Sequence, residues 1–487
     1  MPDQPARRRR EARRSAGQPS LSVRPRLSRS LPSRPTPFVG RNRQVQEIQQ
    51  RLAGSAVRLL TLTGPPGVGK TRLALEAAAH LPAAFDNGII FVDLTPIRDP
   101  ALVASTIAQS LGVVEWPQRP VLAALADFLQ EQHLLLILDN YEQVLEAADV
   151  VDHLVAMCPG IKILVTSRAP LRLTWEHEFP VAPLELPDRQ HMPSPEEVAA
   201  SSAVALFVAR ARAVQPDFAL DASTSRPVAD ICVRLDGLPL AIELAAARVK
   251  HIPPMAIAAR LEDRFALLTS GARNVPARHQ TLHAAIAWSY DLLEPSDQAL
   301  FRRLAVFVGG CTLEAAGAVC PEGDDRQRDI LDGLAALGDR SLLSLTPAQD
   351  GTPRFRMLES LREFALEQLA ESDEAGEMQR RHAGFFLRFA ERAKSGLLGP
   401  EEQRWLEHFD VEDDNLRAAL AWTLGGGDPE TGLKLAGALS PFWYSRGHLS
   451  EGRAWLDRAL AHTRGVAVAA RCQYSGTRPG WRASMAT

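Results

Sequence analysis

No stretch of this 487-residue chain approaches the roughly 18 consecutive apolar residues needed to cross a bilayer. Its N-terminus also lacks the apolar core of a secretory signal. Cysteine is scarce: Cys158, Cys232, Cys311, Cys320 and Cys472 are spaced neither as metal ligands nor as a disulfide framework. They read as small buried hydrophobes in a reducing compartment. A strong charge of one sign is missing too, and the formal net charge of −3 excludes a wholesale nucleic-acid coat protein. These absences point to a cytoplasmic protein with no membrane partner. The composition, 46% hydrophobic and 23% charged, is that of an ordinary globular chain. The length exceeds what one core can serve, so three or four domains are expected.

The first 36 residues stand apart. Ten arginines sit there among Pro and Ser with little to bury, so this segment reads as a disordered tail. Its charge also suits a nucleic-acid-binding arm. From residue 37 to 185, short apolar runs at 57–63, 88–94, 134–139 and 161–166 alternate with amphipathic stretches at 71–81, 101–111, 121–129 and 143–157. Buried strands alternating with helices predict an α/β domain with a parallel sheet.

Residues 186–275 read as a helical domain, entered through a Pro- and acid-rich linker over 186–197. Residues 276–372 mix helices with two short strands, at 341–345 and 354–358, in the manner of a winged helix. Residues 373–463 return to helix with aromatic anchors, like the start of a TPR-like helical array. Residues 464–487 lose all periodicity. They read as an irregular tail, and an array that stops without its cap suggests a truncated or frame-altered end.

The chemistry sits at the first strand. Gly64-Pro65-Pro66-Gly67-Val68-Gly69-Lys70-Thr71 fits the phosphate-binding loop at every fixed position. The glycines let backbone amides curl around an anion, and the following helix presents its positive dipole end. Lys70 supplies a charge to the β and γ phosphates, while the Thr71 hydroxyl is a magnesium ligand. The four fixed positions recur by chance in roughly one or two per cent of chains this long. A strand before and a helix through Arg72 after make chance a poor account. Asp139, closing the apolar run 134–139, is the expected second metal ligand, against a plain helix cap as the alternative. Asn140 follows it, where a vigorous ATPase often carries Glu; Glu142 is the nearest acid. Arg168 ends the next strand, placed either to sense a γ-phosphate or as an ordinary surface arginine.

In order along the chain, these blocks resemble the NB-ARC type of signal-transducing P-loop ATPases with numerous domains (STAND). They look most like those in bacterial LuxR-related and antibiotic-regulator-like (AfsR-like) transcriptional regulators. The resemblance rests on Pro37-Phe38-Val39-Gly40-Arg41, the phosphate loop, Leu138-Asp139-Asn140, Thr166-Ser167-Arg168, Gly237-Leu238-Pro239-Leu240-Ala241 and Ala287 to Leu293. It implies a switch that holds ADP in a closed monomer and self-associates with ATP and Mg2+. It further implies that Val39 and Gly40 contact adenine through their backbone and that Pro239 closes the same pocket. A signal ligand or protein would act at the helical segment, and DNA would be reached only through a separate effector domain. Relatives often carry a Met-His-Asp triplet whose His touches the ADP β-phosphate; here Met357-Leu358-Glu359 stands instead, so the lock is expected to be weaker or built differently. The competing reading is a nucleic-acid-stimulated ATPase motor or loader.

Overall fold

The computed structural model describes residues 31–462 apart from 33–35, 82–83, 116–118, 188–194, 269–276, 321–329, 348–351 and 398–400. The expected C-terminal tail, and nearly all of the N-terminal one, lie outside the described residues.

An apolar run of five or six residues must pair its backbone groups as it is buried, and a sheet covered on both faces does this. The four expected strands form: β1 (Leu59–Thr63), β2 (Gly88–Asp93), β3 (Leu134–Asp139) and β4 (Lys162–Ser167). A fifth, β5 (Glu176–Pro180), joins them in the order β2-β3-β4-β1-β5, with every neighbour parallel. The sequence carries no strand signal there, because only Phe179 of that strand is buried. It is a polar edge strand paired with β1, and its charges discourage further pairing. Side chains alternate across the sheet: Leu60, Leu62, Ile137 and Leu164 enter one core, and Leu59, Leu136, Leu138 and Val165 the other.

Five helices flank the sheet: α1 (Asn42–Ala53), α2 (Lys70–Ala79), α3 (Val103–Ser110), α4 (Val121–Leu129) and α5 (Ala148–Met157). Helix α1 has little apolar signal in the sequence, since among its polar residues only Val45, Ile48 and Leu52 are buried. The helix expected over 143–157 begins later than its pattern suggests. Short 3-10 turns at Tyr141–Gln143 and Leu145–Ala147 precede it, and the buried Tyr141 hydroxyl donates to Ala147 O at 2.7 Å to tie them together.

The helical domain comprises α6 (Pro195–Ala200), α7 (Ser202–Val214), α8 (Ser225–Arg234), α9 (Pro239–Ala246) and α10 (Pro254–Leu268). Helix α6 occupies the end of what reads as linker. The winged helix follows with α11 (Ala277–Asp291), α12 (Pro295–Leu304), α13 (Leu313–Val319) and α14 (Ile330–Asp339). Its antiparallel wing is β6 (Ser344–Pro347) with β7 (Pro353–Arg356), and α15 (Glu359–Ala370) closes it. The array is α16 (Ala375–Gly396), α17 (Glu402–Leu424), α18 (Pro429–Arg446) and α19 (Leu449–His462). Phe389 packs on Phe409 at 5.3 Å, and Phe409 stacks on Phe442 at 4.9 Å, so the aromatics join successive helices.

The wing is fastened to the array by a buried ion pair. Arg354, 1% exposed, donates to both oxygens of Glu412 and, at 2.9 Å, to Gly310 O. Removing one partner of such a pair strands a buried charge, whereas replacing both with apolar groups costs far less. Arg354→Met should therefore lower unfolding free energy by about 3 kcal/mol or more. Adding Glu412→Leu should recover most of that loss, as checked by denaturant titration of the two variants.

Candidate functional site

The chain leaves β1 at Thr63 and must turn sharply into α2 while keeping its amides clear. Gly67 and Gly69 supply this with φ of 71° and 92°, a region that side chains rarely enter. A Cβ at Gly67 would also lie 2.9 Å from Leu282 Cδ2 and 3.2 Å from Leu240 Cβ. Gly67 thus serves both the turn and the close approach of the helical and winged-helix domains. Lys70 is buried at the base of the loop, its ammonium donating to Gly64 O at 2.9 Å and Pro65 O at 3.3 Å. Burial draws its pKa below the ordinary lysine value.

The C-terminal ends of β2, β3 and β4 meet this loop. Asp139 accepts from the Thr71 hydroxyl at 2.8 Å and from the Thr166 hydroxyl at 2.5 Å. Burial, with nearby Asp93 adding to it, pushes the Asp139 carboxyl up to about 7 against the pull of those hydrogen bonds. Asn140 sits in the left-handed region with φ 59°, which turns its amide toward Thr95 Oγ1 at 2.5 Å; Thr95 in turn donates to Asp93. Glu142 Oε1 accepts from Arg168 Nε at 3.0 Å, while its buried Oε2 has no hydrogen-bond partner among the described residues. The other arm of Arg168 pairs with Glu363 on α15, crossing from the nucleotide domain to the winged helix.

A cavity of about 400 Å³ opens above these groups. Its walls come from every module: Lys70, Thr71, Asp139 and Arg168 from the α/β domain, Pro239 from the helical domain, Met357 and Leu358 from the winged helix, and Asp414 from the array. Gly67, Gly69 and Pro66 line it as well, and Pro239 lies against Gly69 while Leu240 N donates to Gly67 O at 3.3 Å. Gly64 and Pro65 act through their carbonyls on Lys70, and Val68 is buried in the core beneath.

Arg72 lines the cavity, yet its guanidinium is occupied by Glu243, Thr36 O and Pro37 O. Val39 and Gly40 are not part of this wall: Gly40 packs against Ser202 and Leu184, and Val39 against the core. Leu358 is half-exposed at the start of α15, facing the cavity. Sequence reasoning assigns no role to Glu363, Arg362 or Asp414, which lie far along the chain from the loop. It also misses Arg41 as a loop support. Arg41 Nη2 donates to Ala182 O at 2.8 Å, its Nη1 lies beside Gly69, and burial pulls its pKa down to about 10.

This donor set suits a magnesium-bound nucleoside phosphate. The loop amides and Lys70 answer phosphate charge, Thr71 and Asp139 are oxygen ligands already side by side, and Glu142 brings an unpaired oxygen.

Comparison with known proteins agrees with this geometry. Residues 54–178 match the model of an AAA domain, and residues 293–370 that of a winged helix-turn-helix domain. An uncharacterised protein of Mycobacterium tuberculosis is 39% identical over 342 residues, 70% of this chain and 83% of that protein. The chain belongs to its family. A candidate HTH-type transcriptional regulator of the same organism is 40% identical over 408 residues, covering 84% of this chain and 44% of the regulator. The regulatory protein AfsR of Streptomyces griseus is 28% identical over 424 residues, 82% of this chain and 39% of AfsR. The chain thus spans less than half the length of these two regulators. Among solved structures, a STAND protein with a tetratricopeptide repeat sensor from Pyrococcus horikoshii aligns over 94% of this chain and 70% of its own, at 14% identity and a TM-score of 0.46.

Asp139→Ala tests the metal site. It should leave ADP affinity within about threefold but weaken magnesium-dependent ATP binding at least tenfold, an estimate from the lost metal ligand. Titration calorimetry with magnesium and with chelator separates the two; an equal loss of both would make Asp139 a structural residue.

Proposed function

We propose that the chain is an ATP/ADP-binding regulatory switch with slow hydrolysis, acting within a transcriptional regulator of the STAND, NB-ARC-like kind. The observation that carries this is the shared cavity: a nucleotide held there touches all four modules, so its charge can set their arrangement. Lys70 and the loop would hold the phosphates, and Thr71 with Asp139 the Mg2+. Arg168 is the group a γ-phosphate would compete for. In the closed arrangement Glu363 and Glu142 occupy it; a γ-phosphate that drew it away would loosen the winged helix.

Slow turnover follows from the carboxylates. Asn140 has no acid to activate water, and Glu142 is tied to Arg168. The winged helix fits a regulatory module better than a DNA reader. Helix α14, which precedes the wing, contains no Lys or Arg, exposes Leu331, Asp332 and Asp339, and meets Lys250 of the helical domain through Asp339. Phosphate contacts need positive charge, which this surface lacks. DNA recognition would therefore belong to an effector domain of the larger regulators, with self-association in the ATP state and a signal ligand or protein acting on the helical array.

The freshly purified chain, once denatured, should release close to one ADP per molecule. Its ATP turnover should stay slow and indifferent to added DNA, and Lys70→Ala should abolish nucleotide binding. An empty site with turnover stimulated by nucleic acid would establish the motor reading instead.

A further inference from the structure

A second cavity, of about 670 Å³, lies where the nucleotide domain, the winged helix and the array meet. It is distinct from the phosphate cavity but shares Thr95, Pro96, Val308 and Arg362 with its wall. Its charge is one-sided: Arg98, Arg362, Arg417 and Arg458 line it, with Asp99 as the only acid among the described lining residues.

These four cations are not equally committed. Arg417 is answered by Glu451, Asp413 and Asp414, and Arg458 by Asp99. Arg362 gives Nε to Phe307 O at 3.0 Å and Nη1 to Glu359 at 3.3 Å, and no bond is made by its Nη2 among the described residues. Arg98 has no ion pair or hydrogen bond among the described residues. Burial holds Arg362 below its ordinary value; the carboxylate of Glu359 opposes this, and the neighbouring Arg98 adds to it. Two guanidinium groups with spare donors therefore face one space, an arrangement that a carboxylate relieves.

The rest of the wall is mainly apolar, with Thr95, Gln379 and His382 as its polar side chains. Trp422 and Trp455 come from the array, and the Arg458 guanidinium lies 5.2 Å over the Trp455 ring. Ile97, Leu102 and Leu366 complete an apolar floor. Pockets of roughly 300–1,000 Å³ with apolar walls and a few convergent charges are the usual form of small-molecule sites.

We propose that this second cavity binds a small aromatic carboxylate, its anion held by Arg98 and Arg362 and its ring against Trp422 and Trp455. The site is wired to the nucleotide. Arg362 belongs to both walls and holds Glu359 beside the phosphate cavity, and α17 carries Arg417 into one cavity and Asp414 into the other. A carboxylate that recruited Arg362 would change the charge facing the phosphates. That regulatory consequence rests on the proposed switch function, whereas binding itself does not.

The test uses the full chain, saturated with ADP and magnesium, and 1-anilinonaphthalene-8-sulfonate as a fluorescent aromatic anion. One saturable site per chain is expected, with 2-naphthoate displacing the probe. Arg98→Ala should weaken probe binding about tenfold, as expected for one lost charge-assisted contact. Ala421→Trp, which fills the cavity from an exposed helix position, should weaken it further. N-phenyl-1-naphthylamine, the same body without the anion, should bind at least tenfold more weakly, by the same estimate. Absence of a saturable probe site on the ADP-saturated chain, equal binding of the neutral analogue, or unchanged affinity in both cavity variants would overturn the proposal. Failure of the switch reading looks different: no bound ADP, with the probe site intact.

Discussion

One arginine between two carboxylates of different domains ties the nucleotide domain to the winged helix. Arg168 leaves the end of β4 and is shared by Glu142 of its own domain and Glu363 of the winged helix. Lys70 feels the fields of Glu142, Arg168, Asp139 and Glu363 together. Counting these five groups as ionised gives two cations against three acids, a net of −1. Phosphate oxygens cannot enter such a place without help. For the two phosphates of ADP the loop amides and a magnesium ion on Asp139 would supply it, whereas a γ-phosphate would also call on an Arg168 freed from Glu363. Under the proposed switch, the contact between Arg168 and the winged helix would also withhold charge from a γ-phosphate, which is the coupling a switch requires.

The remaining architecture serves that coupling. A parallel sheet delivers Asp139, Thr166 and Arg168 to the edge where the loop and Thr71 lie, because consecutive parallel strands all end on the same side. The helical domain is brought onto the loop by Gly67, where a side chain would clash. Among the contacts that fasten the array are two buried ion pairs, Arg354 with Glu412 to the wing and Arg417 with Glu451 to Gln109 of the nucleotide domain. Because both pairs are buried, they are expensive to break singly, and they favour motion of whole modules over local fraying.

Much of this is legible in the sequence where the signal is local. The phosphate loop, the apolar run ending at Asp139 and the order of modules follow from spacing and periodicity, and the structure brings Lys70, Thr71, Asp139, Arg168 and Pro239 to one cavity. What is not legible depends on contacts across long stretches of chain. Glu363 is 195 residues from Arg168, and no local pattern marks it as a partner. Strand β5 and helix α1 are too polar to announce themselves. Leu358 points to a missing phosphate contact, and the structure shows that the same segment reaches the nucleotide domain through Glu363 instead. Val39 and Gly40, for which the resemblance implies an adenine contact, lie outside the wall of the phosphate cavity, Gly40 beside Ser202 and Leu184.

The most direct measurement is the rate at which a fluorescent ADP analogue, the N-methylanthraniloyl derivative, leaves the full chain and its Glu363→Gln variant. The Arg168–Glu363 contact is partly exposed, so its loss is worth about 1 kcal/mol, or roughly fivefold in rate. Release from the variant should be faster by about that factor, with the fold unchanged by circular dichroism. Release that is unchanged or slower would show that the bridge to the winged helix does not hold the nucleotide, and would contradict the switch mechanism.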